Sequence, residues 1–512
     1  MSHDGLADDI DVSSRYRDLL ALGDDKEFLY YKAAWITLGQ IRQTVAAMNM
    51  LLDGAGVGDG AKIGLVTRTR PAHVAALLAL LSTRRCVVPI TSIQSDAGVA
   101  ADVEHLGLAA LIADEDDWGR SELREVSSRL GVLGIMVTLA GPATIEGLGS
   151  CRSNPEAIPG AAVLMPTSGT TGPPKRIVYS YGHLNGALGR VAKYARSVGR
   201  TLTGPVSIQR SVTIATLALA HVGGFWAVFQ AAAEGRPIAL LDRFEPREWA
   251  DLVVYHQARL SALPPTAIRM VLDADIPKEK LASLLAVNCG TAPLDPALGD
   301  EFTHKYGPPV LTAYGATEFP GGLVGWTLED YRRFHGTKRG SVGRPRPGIK
   351  VKIVDPGTGA DKGPEEVGQV RVLSPQATAS TPDGWVTTND IGRMDTENFL
   401  WLLGRADDAI NRGGFKIVPQ SVESVLRQHP AIVEAAVTGI PDRRLGQVPV
   451  AAVTIRDAIE MADLVEWARE HLPKYQVPVQ FKIVEELPRT TSLKVTKEGV
   501  RALFAAPLWR SS

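Results

Sequence analysis

Between residues 60 and 160, short apolar runs of strand length alternate with longer helical stretches, and this alternation limits the possible folds more than any other feature. Residues 63–66, 86–90, 108–113 and 134–139 carry apolar side chains without a polar alternate, which predicts strands buried on both faces, and residues 71–81 predict a helix. Parallel neighbours need a crossover long enough to hold a helix, so this pattern specifies a parallel sheet covered above and below. The same alternation returns over 205–320, with strands expected at 238–241, 261–263, 284–288 and 310–314. From about residue 340 the texture becomes β-rich, with strands at 351–354 and 368–373 between Gly/Pro turns, as in a small barrel-like subdomain. A compact mixed unit follows residues 404–408. It is expected to hold helices at 420–428 and 462–471, strands at 432–439, 448–455 and 481–485, a loop at 488–494 and a final helix. The expected class is α/β: a large N-terminal domain of two α/β subdomains plus a β-barrel-like subdomain, then a small α+β C-terminal domain.

At 512 residues the chain exceeds one ordinary core, consistent with that division. Its formal net charge of -1 supplies no global field for nucleic acid. Cys86, Cys151 and Cys289 are far apart, so they read as free thiols in a reducing, cytoplasmic setting rather than as a disulfide or zinc framework. The N-terminus shows no apolar segment of signal-peptide type. Residues 211–233 lack any Asp, Glu, Lys or Arg, but Thr, His, Gly and Gln dilute the run, so a buried core helix is expected there rather than a membrane span. The glycines of 54–60 precede their strand, and the dinucleotide-loop register fails at Asp59, which leaves a glycine-rich turn.

The stretch with most chemistry is Thr167-Ser168-Gly169-Thr170-Thr171-Gly172-Pro173-Pro174-Lys175, between strand-like residues 161–166 and 176–180. Hydroxyl and backbone donors, glycines that admit a close approach and one lysine charge suit a polyphosphate. Two prolines before Lys175 forbid the helix that a Walker A loop opens. By itself the string is also compatible with a polar hairpin turn.

Further strings follow in order: Gly290-Thr291-Ala292-Pro293, Tyr314-Gly315-Ala316-Thr317-Glu318, Thr388-Asn389-Asp390, Gly404-Arg405-Ala406-Asp407-Asp408, Gly413-Gly414-Phe415-Lys416, and Pro488-Arg489-Thr490-Thr491-Ser492-Leu493-Lys494. Together, across roughly residues 30–505, they resemble the adenylate-forming superfamily, in its acyl-CoA synthetase branch. The resemblance implies ATP, Mg²⁺ and coenzyme A. It places Thr317 on the α-phosphate, Glu318 on the metal, Gly290–Pro293 with Tyr314 and Gly315 along the adenine and acyl site, and Asp390 on ribose. Arg405 would approach ribose and phosphate, Asp407 would be the hinge, Lys494 the adenylation catalyst, and Gly414 part of the face met by the pantetheine arm. The implied domains are 1–406, which binds AMP, and 407–512, which is mobile. The chain departs from the pattern at Asn389 and Leu493, where glycines are usual, at Asn411, at Gln369 in place of a glutamate, and over 374–383.

An ionised carboxylate is already a nucleophile, so this chemistry needs positioned positive charge rather than a general base. No carboxylate lies in Leu217-Ala218-Leu219-Ala220-His221-Val222-Gly223-Gly224, where amino-acid-activating members carry an aspartate. His221 with Gly223 and Gly224 resembles the H-x-x-G run of CoA ligases, where the histidine borders the carboxylate; a core histidine is the competing reading. A hydrophobic, aryl or alicyclic acid is implied. With no carrier-protein segment after residue 500, free CoA is the expected acceptor and a homodimer the expected assembly. An acyl-AMP ligase serving a separate carrier protein, a catalytically silent nucleotide-binding member and a luciferase-like oxygenase remain as alternatives.

Overall fold

The computed structural model describes residues 10–151, 157–167, 175–197, 204–378, 381–489 and 495–504. Two compact units emerge: residues 1–333 with 346–349 and 374–380, and residues 334–345 with 350–373 and 381–512.

In the first unit, strands Lys62–Thr67, Cys86–Thr91, Ala110–Ala113, Leu133–Met136 and Ala161–Pro166 form the parallel part of a seven-stranded sheet. Arg176–Ser180 closes one edge antiparallel to Ala161–Pro166. Helix Pro71–Ser82 begins with proline at its first position, where the missing N–H costs nothing, and almost every side chain is buried. A helix apolar all round is an interior helix, which explains how this sheet is covered.

A second parallel group, Leu260–Ala262, Ala286–Cys289 and Val310–Tyr314, ends at the motif-bearing segments. Strand Thr213–Ala215 pairs with Ile238–Leu240, which pairs in turn with Glu27–Tyr31. The core-helix expectation for residues 211–233 is corrected. The uncharged run divides into strand Thr213–Ala215, a turn, and helix Val222–Glu234. The turn folds back onto the start of the helix so closely that a Cβ at Gly224 would collide with the Ala218 carbonyl. No helix among the described residues is long and apolar enough to cross a membrane.

In the second unit, strands Lys350–Val354, Gly368–Leu373, Trp385–Met394 and Leu400–Arg405 form an antiparallel meander. A further sheet pairs Ile432–Asp442 with Gly446–Ile455 and adds Gln480–Ile483 in parallel. Helices Pro419–Leu426 and Met461–His471 cover it through Val422, Leu426, Leu464 and Ala468.

Candidate active site

The first unit positions the phosphate-loop candidate by its stem. Ala161–Pro166 and Arg176–Ser180 are paired as far as Pro166 opposite Arg176, and the Thr167 N–H and hydroxyl both donate to the Lys175 carbonyl, at 2.8 and 3.0 Å. Ser168, Gly169, Thr170, Thr171 and Gly172 lie outside the described residues. The stem is anchored just after Lys175 by Arg176, which donates to Asp102 at 2.6 Å and to the Pro89 carbonyl at 2.7 Å. Both side chains of that ion pair are over nine-tenths buried. Arg176 thereby joins the loop's outgoing strand to the Cys86–Thr91 strand and to helix Asp96–Glu104.

Later in the chain, the Val310–Tyr314 strand ends in a turn that carries Thr317 and Glu318, with the Phe319 N–H donating to the Ala316 carbonyl at 3.0 Å. Two side chains fix the backbone of this turn. The Tyr179 hydroxyl donates to the Thr317 carbonyl at 2.5 Å, and Thr378 donates its N–H and its hydroxyl to the Glu318 carbonyl at 3.0 and 3.1 Å. Tyr179 lies on the strand that leaves the phosphate loop, so one residue ties the two motifs together. Burial, and to a lesser degree the charge of Glu318, raises the Tyr179 pKa, which keeps its hydroxyl a donor. No ion pair engages Glu318 among the described residues. A half-buried carboxylate without a cationic partner suits Mg²⁺, which takes one or two carboxylates and completes its shell with water and phosphate oxygens.

The neighbouring strand Ala286–Cys289 delivers Gly290, Thr291, Ala292 and Pro293 beside Tyr314 and Gly315. A Cβ on Gly290 would lie 3.3 Å from the Ala313 carbonyl, tighter than ordinary contact. Thr291 holds φ at +70°, a conformation that a β-branched residue adopts only at a cost of about 1–3 kcal/mol. Its methyl faces the start of helix Val222–Glu234, only 3.3 Å from where a Gly223 Cβ would stand. His221 is the N-cap residue of that helix, half-buried, with its N–H on the Ala218 carbonyl at 3.0 Å. The structure thus brings the His221–Gly224 and Gly290–Pro293 segments together.

In the second unit, Asp390 and Arg405 face each other across paired strands, with 4.0 Å between Asp390 Oδ1 and Arg405 Nη1. Arg405 also forms a two-pronged pair with Asp407, at 2.8 and 2.7 Å, which holds the Asp407 carboxyl below the usual range. Two sequence departures acquire roles here. The Asn389 amide donates to Asp407 at 3.3 Å, and the Gln369 amide donates to the Thr388 carbonyl at 2.8 Å. Gly404 is forced, since a Cβ would strike Val418 and Gln420. At Gly414 a Cβ would meet nothing within 4 Å, so its φ of +90° is the constraint, and the backbone is open to an approaching group.

Lys494 lies outside the described residues, but its flanks are firmly held. Arg489 bridges antiparallel to Val495 and pairs with Glu434 at 2.5 and 2.7 Å. Lys497 donates to Glu423 at 2.5 Å and to the Val437 carbonyl at 2.9 Å. Tyr179, Thr378, Arg176 and Lys497 were not singled out from the sequence; each acts through a long-range bond that leaves no local pattern.

Residues 20–380 match the family model described as AMP-binding enzyme, and residues 421–494 match the AMP-binding enzyme C-terminal domain. The chain belongs to the AMP-binding enzyme family. Among related members, 2-succinylbenzoate–CoA ligase of Bacillus subtilis is 31% identical over 351 residues, 66% of this chain and 68% of that one. The solved o-succinylbenzoate CoA synthetase of Bacillus subtilis, in complex with the acyl-adenylate intermediate OSB-AMP, is 25% identical. It superposes with a TM-score of 0.78 over 95% of this chain and 97% of that one. The same synthetase in complex with ATP and magnesium ion gives a TM-score of 0.77 at 25% identity, over 95% and 99% of the two chains. The mixed α/β architecture of this AMP-binding enzyme, with a large N-terminal and a small C-terminal domain, is that of the adenylate-forming superfamily.

Proposed function

We propose that this AMP-binding enzyme is an ATP-dependent carboxylic acid–CoA ligase that works through an acyl-adenylate. It is an AMP-forming acid–thiol ligase that uses ATP, Mg²⁺ and coenzyme A. The observation that carries the reading is the Tyr179 link, which fixes the Thr317–Glu318 turn to the stem of the 167–175 loop. A carboxylate and a polyphosphate repel each other, so the rate depends on donors and positive charge fixed in advance. The loop with Lys175 holds phosphate oxygens and Thr317 donates to the α-phosphate. Mg²⁺ bound at Glu318 would neutralise phosphate charge during the displacement. Gly290–Pro293 and Tyr314 line the adenine and acyl region, with His221 at the carboxylate.

In the second unit, Asp390 and Arg405 serve the ribose and phosphate, and Lys494 serves adenylation. Gly414 serves thiol transfer, supported by the open, positive-φ backbone there. Residues 1–406 and 407–512 are the functional domains of this proposal, hinged at Asp407. The acid is hydrophobic, aryl or alicyclic, and the relatives named for 2-succinylbenzoate favour an aryl acid. The working compartment is the cytoplasm.

Pyrophosphate release across an acid panel, with and without CoA, tests the reading. CoA-dependent thioester formation supports it, release without any thioester would assign the chain to carrier-protein loading, and no release with any acid would make it a nucleotide-binding protein. Lys494→Ala should abolish ATP–pyrophosphate exchange while sparing thioester formation from supplied acyl-AMP; persistent exchange would remove Lys494 from adenylation.

A further inference from the structure

The hairpin that carries Gly414 presents an aromatic surface. Strands Ile410–Arg412 and Phe415–Ile417 pair antiparallel, and Gly413 with Gly414 forms the turn between Arg412 and Phe415. The Phe415 ring stacks on Tyr475, with centroids 4.7 Å apart and planes inclined by 23°. One face is thereby backed by protein, yet Phe415 remains 57% exposed. Arg412 braces the pair. Its Nη1 donates to the Tyr475 carbonyl at 2.8 Å and lies 3.4 Å from the carbonyls of Lys474 and Val477, which ties the Tyr475 segment to the hairpin.

The same edge is cationic. The Gly413 N–H donates to the Leu445 carbonyl at 2.8 Å, and Arg412 pairs with Gly446, so residues 443–445 run alongside the glycine turn. Arg443 and Arg444 are exposed on that loop, and exposed Lys474 directly precedes Tyr475. No ion pair engages any of these three among the described residues. The carboxylate of Asp442 is turned onto the loop's own backbone, accepting from the Arg444 and Leu445 N–H groups at 2.9 and 2.8 Å. An exposed aromatic ring bordered by unpaired cations suits a ligand with a flat base and several phosphates. Any base can stack on such a ring, and guanidinium and ammonium groups bind phosphate oxygens.

We infer that Phe415, backed by Tyr475, stacks the adenine of coenzyme A, and that Arg443, Arg444 and Lys474 receive its 3′-phosphate and diphosphate. These groups lie at the end of coenzyme A opposite its thiol, so the pantetheine arm leaves them past the open backbone of Gly414. A carrier-bound pantetheine has neither the adenine nor the 3′-phosphate, so this surface selects free CoA as the acceptor. The inference rests on the ligase reading above and deepens it by naming the residues that read the nucleotide end of the thiol.

The test compares three thiols. The full-length enzyme is supplied with the acyl-AMP of the acid that releases most pyrophosphate, and thioester formation is followed with CoA, dephospho-CoA and 4′-phosphopantetheine. The wild type should prefer CoA to phosphopantetheine by roughly 10- to 100-fold in kcat/KM, mostly through KM, as expected for a stacked base and bound phosphates. Phe415→Ala should lower that ratio by about tenfold, whereas Phe415→Trp should keep it. Replacing both arginines, Arg443→Gln with Arg444→Gln, should bring the preference for CoA over dephospho-CoA toward one. A wild-type ratio near one, or a ratio that either Phe415→Ala or the double arginine variant leaves unchanged, would overturn the proposal. Should Phe415→Ala not fold, the wild-type ratio and the arginine variant decide. Thioester from none of the three thiols would instead refute the ligase reading, and this proposal with it.

Discussion

Replacing Tyr179 by phenylalanine isolates the bond that joins the strand leaving the 167–175 loop to the Thr317–Glu318 turn. The ring is fully buried and its packing is preserved, so no cavity term enters. What is lost is a 2.5 Å hydroxyl bond to the Thr317 carbonyl, leaving a half-buried acceptor unsatisfied. A net hydrogen bond contributes about 1 kcal/mol, and an unsatisfied acceptor raises the cost to about 2 kcal/mol. Thermal unfolding should register that as a drop of a few degrees at most. If the same energy is what holds Thr317 and Glu318 in register for the metal and the α-phosphate, ATP–pyrophosphate exchange should fall by about tenfold or more. Half-saturation by Mg²⁺ should rise in parallel. Thr378→Val gives an internal scale. It removes only the hydroxyl bond to the Glu318 carbonyl and keeps the backbone N–H at 3.0 Å, so its loss should be nearer two- to threefold. Thioester formation from supplied acyl-AMP, which needs no metal-bound triphosphate, should change far less in both variants. Wild-type exchange and Mg²⁺ dependence in Tyr179→Phe would refute the reasoning, as would a larger defect in Thr378→Val.

Two further outcomes concern stability. Asp102→Ala strands the Arg176 charge where both partners are over nine-tenths buried, so unfolding free energy should fall by about 3–5 kcal/mol, while the double replacement Arg176→Met with Asp102→Leu should recover most of it; denaturant melts of the three proteins check this, and a neutral Asp102→Ala would show the pair to be dispensable. His73, buried on helix Pro71–Ser82 near Asp114, Arg70 and Arg68, has its pKa lowered to about 4, mainly by burial. The unfolded chain therefore takes up this proton first. Its contribution is complete above about pH 6.5 and declines by about 3 kcal/mol as pH falls toward 4. His73→Leu should flatten that limb of a stability–pH profile, and an unchanged slope would contradict the assignment.

The elements of the parallel sheet were legible because strands buried on both faces are continuous apolar runs, and the structure places Cys86–Thr91 and Val310–Tyr314 within a residue of expectation. The hairpin of Glu27–Tyr31 and Ala34–Thr37 was not. Its two-residue turn puts Lys32 and Ala33 at φ +47° and +61°, where Asn-Gly or Gly-Gly would have signalled it, so the usual turn chemistry was absent. The uncharged run 211–233 misled for a related reason: periodicity cannot separate a short buried strand from a buried helix, and only the Gly224–Ala218 contact reveals the break.

The chemistry-bearing side chains could be read as strings, whereas the bonds that orient them could not, since Tyr179 reaches 138 residues to Thr317 and Thr378 reaches 60 residues to Glu318. The departures from the family strings follow the same logic. A glutamate at 369 could only accept, yet the group it faces, the Thr388 carbonyl, is an acceptor, so the amide of Gln369 is what that strand pairing requires. A glycine at 389 would supply no side-chain donor to Asp407, which Asn389 engages while Arg405 grips the same carboxylate. At both positions an amide replaces the family's residue where a neighbouring oxygen needs a donor. The strands that carry Asp390 and Arg405 are thereby held by the Gln369 and Asn389 amides together with the Arg405–Asp407 pair.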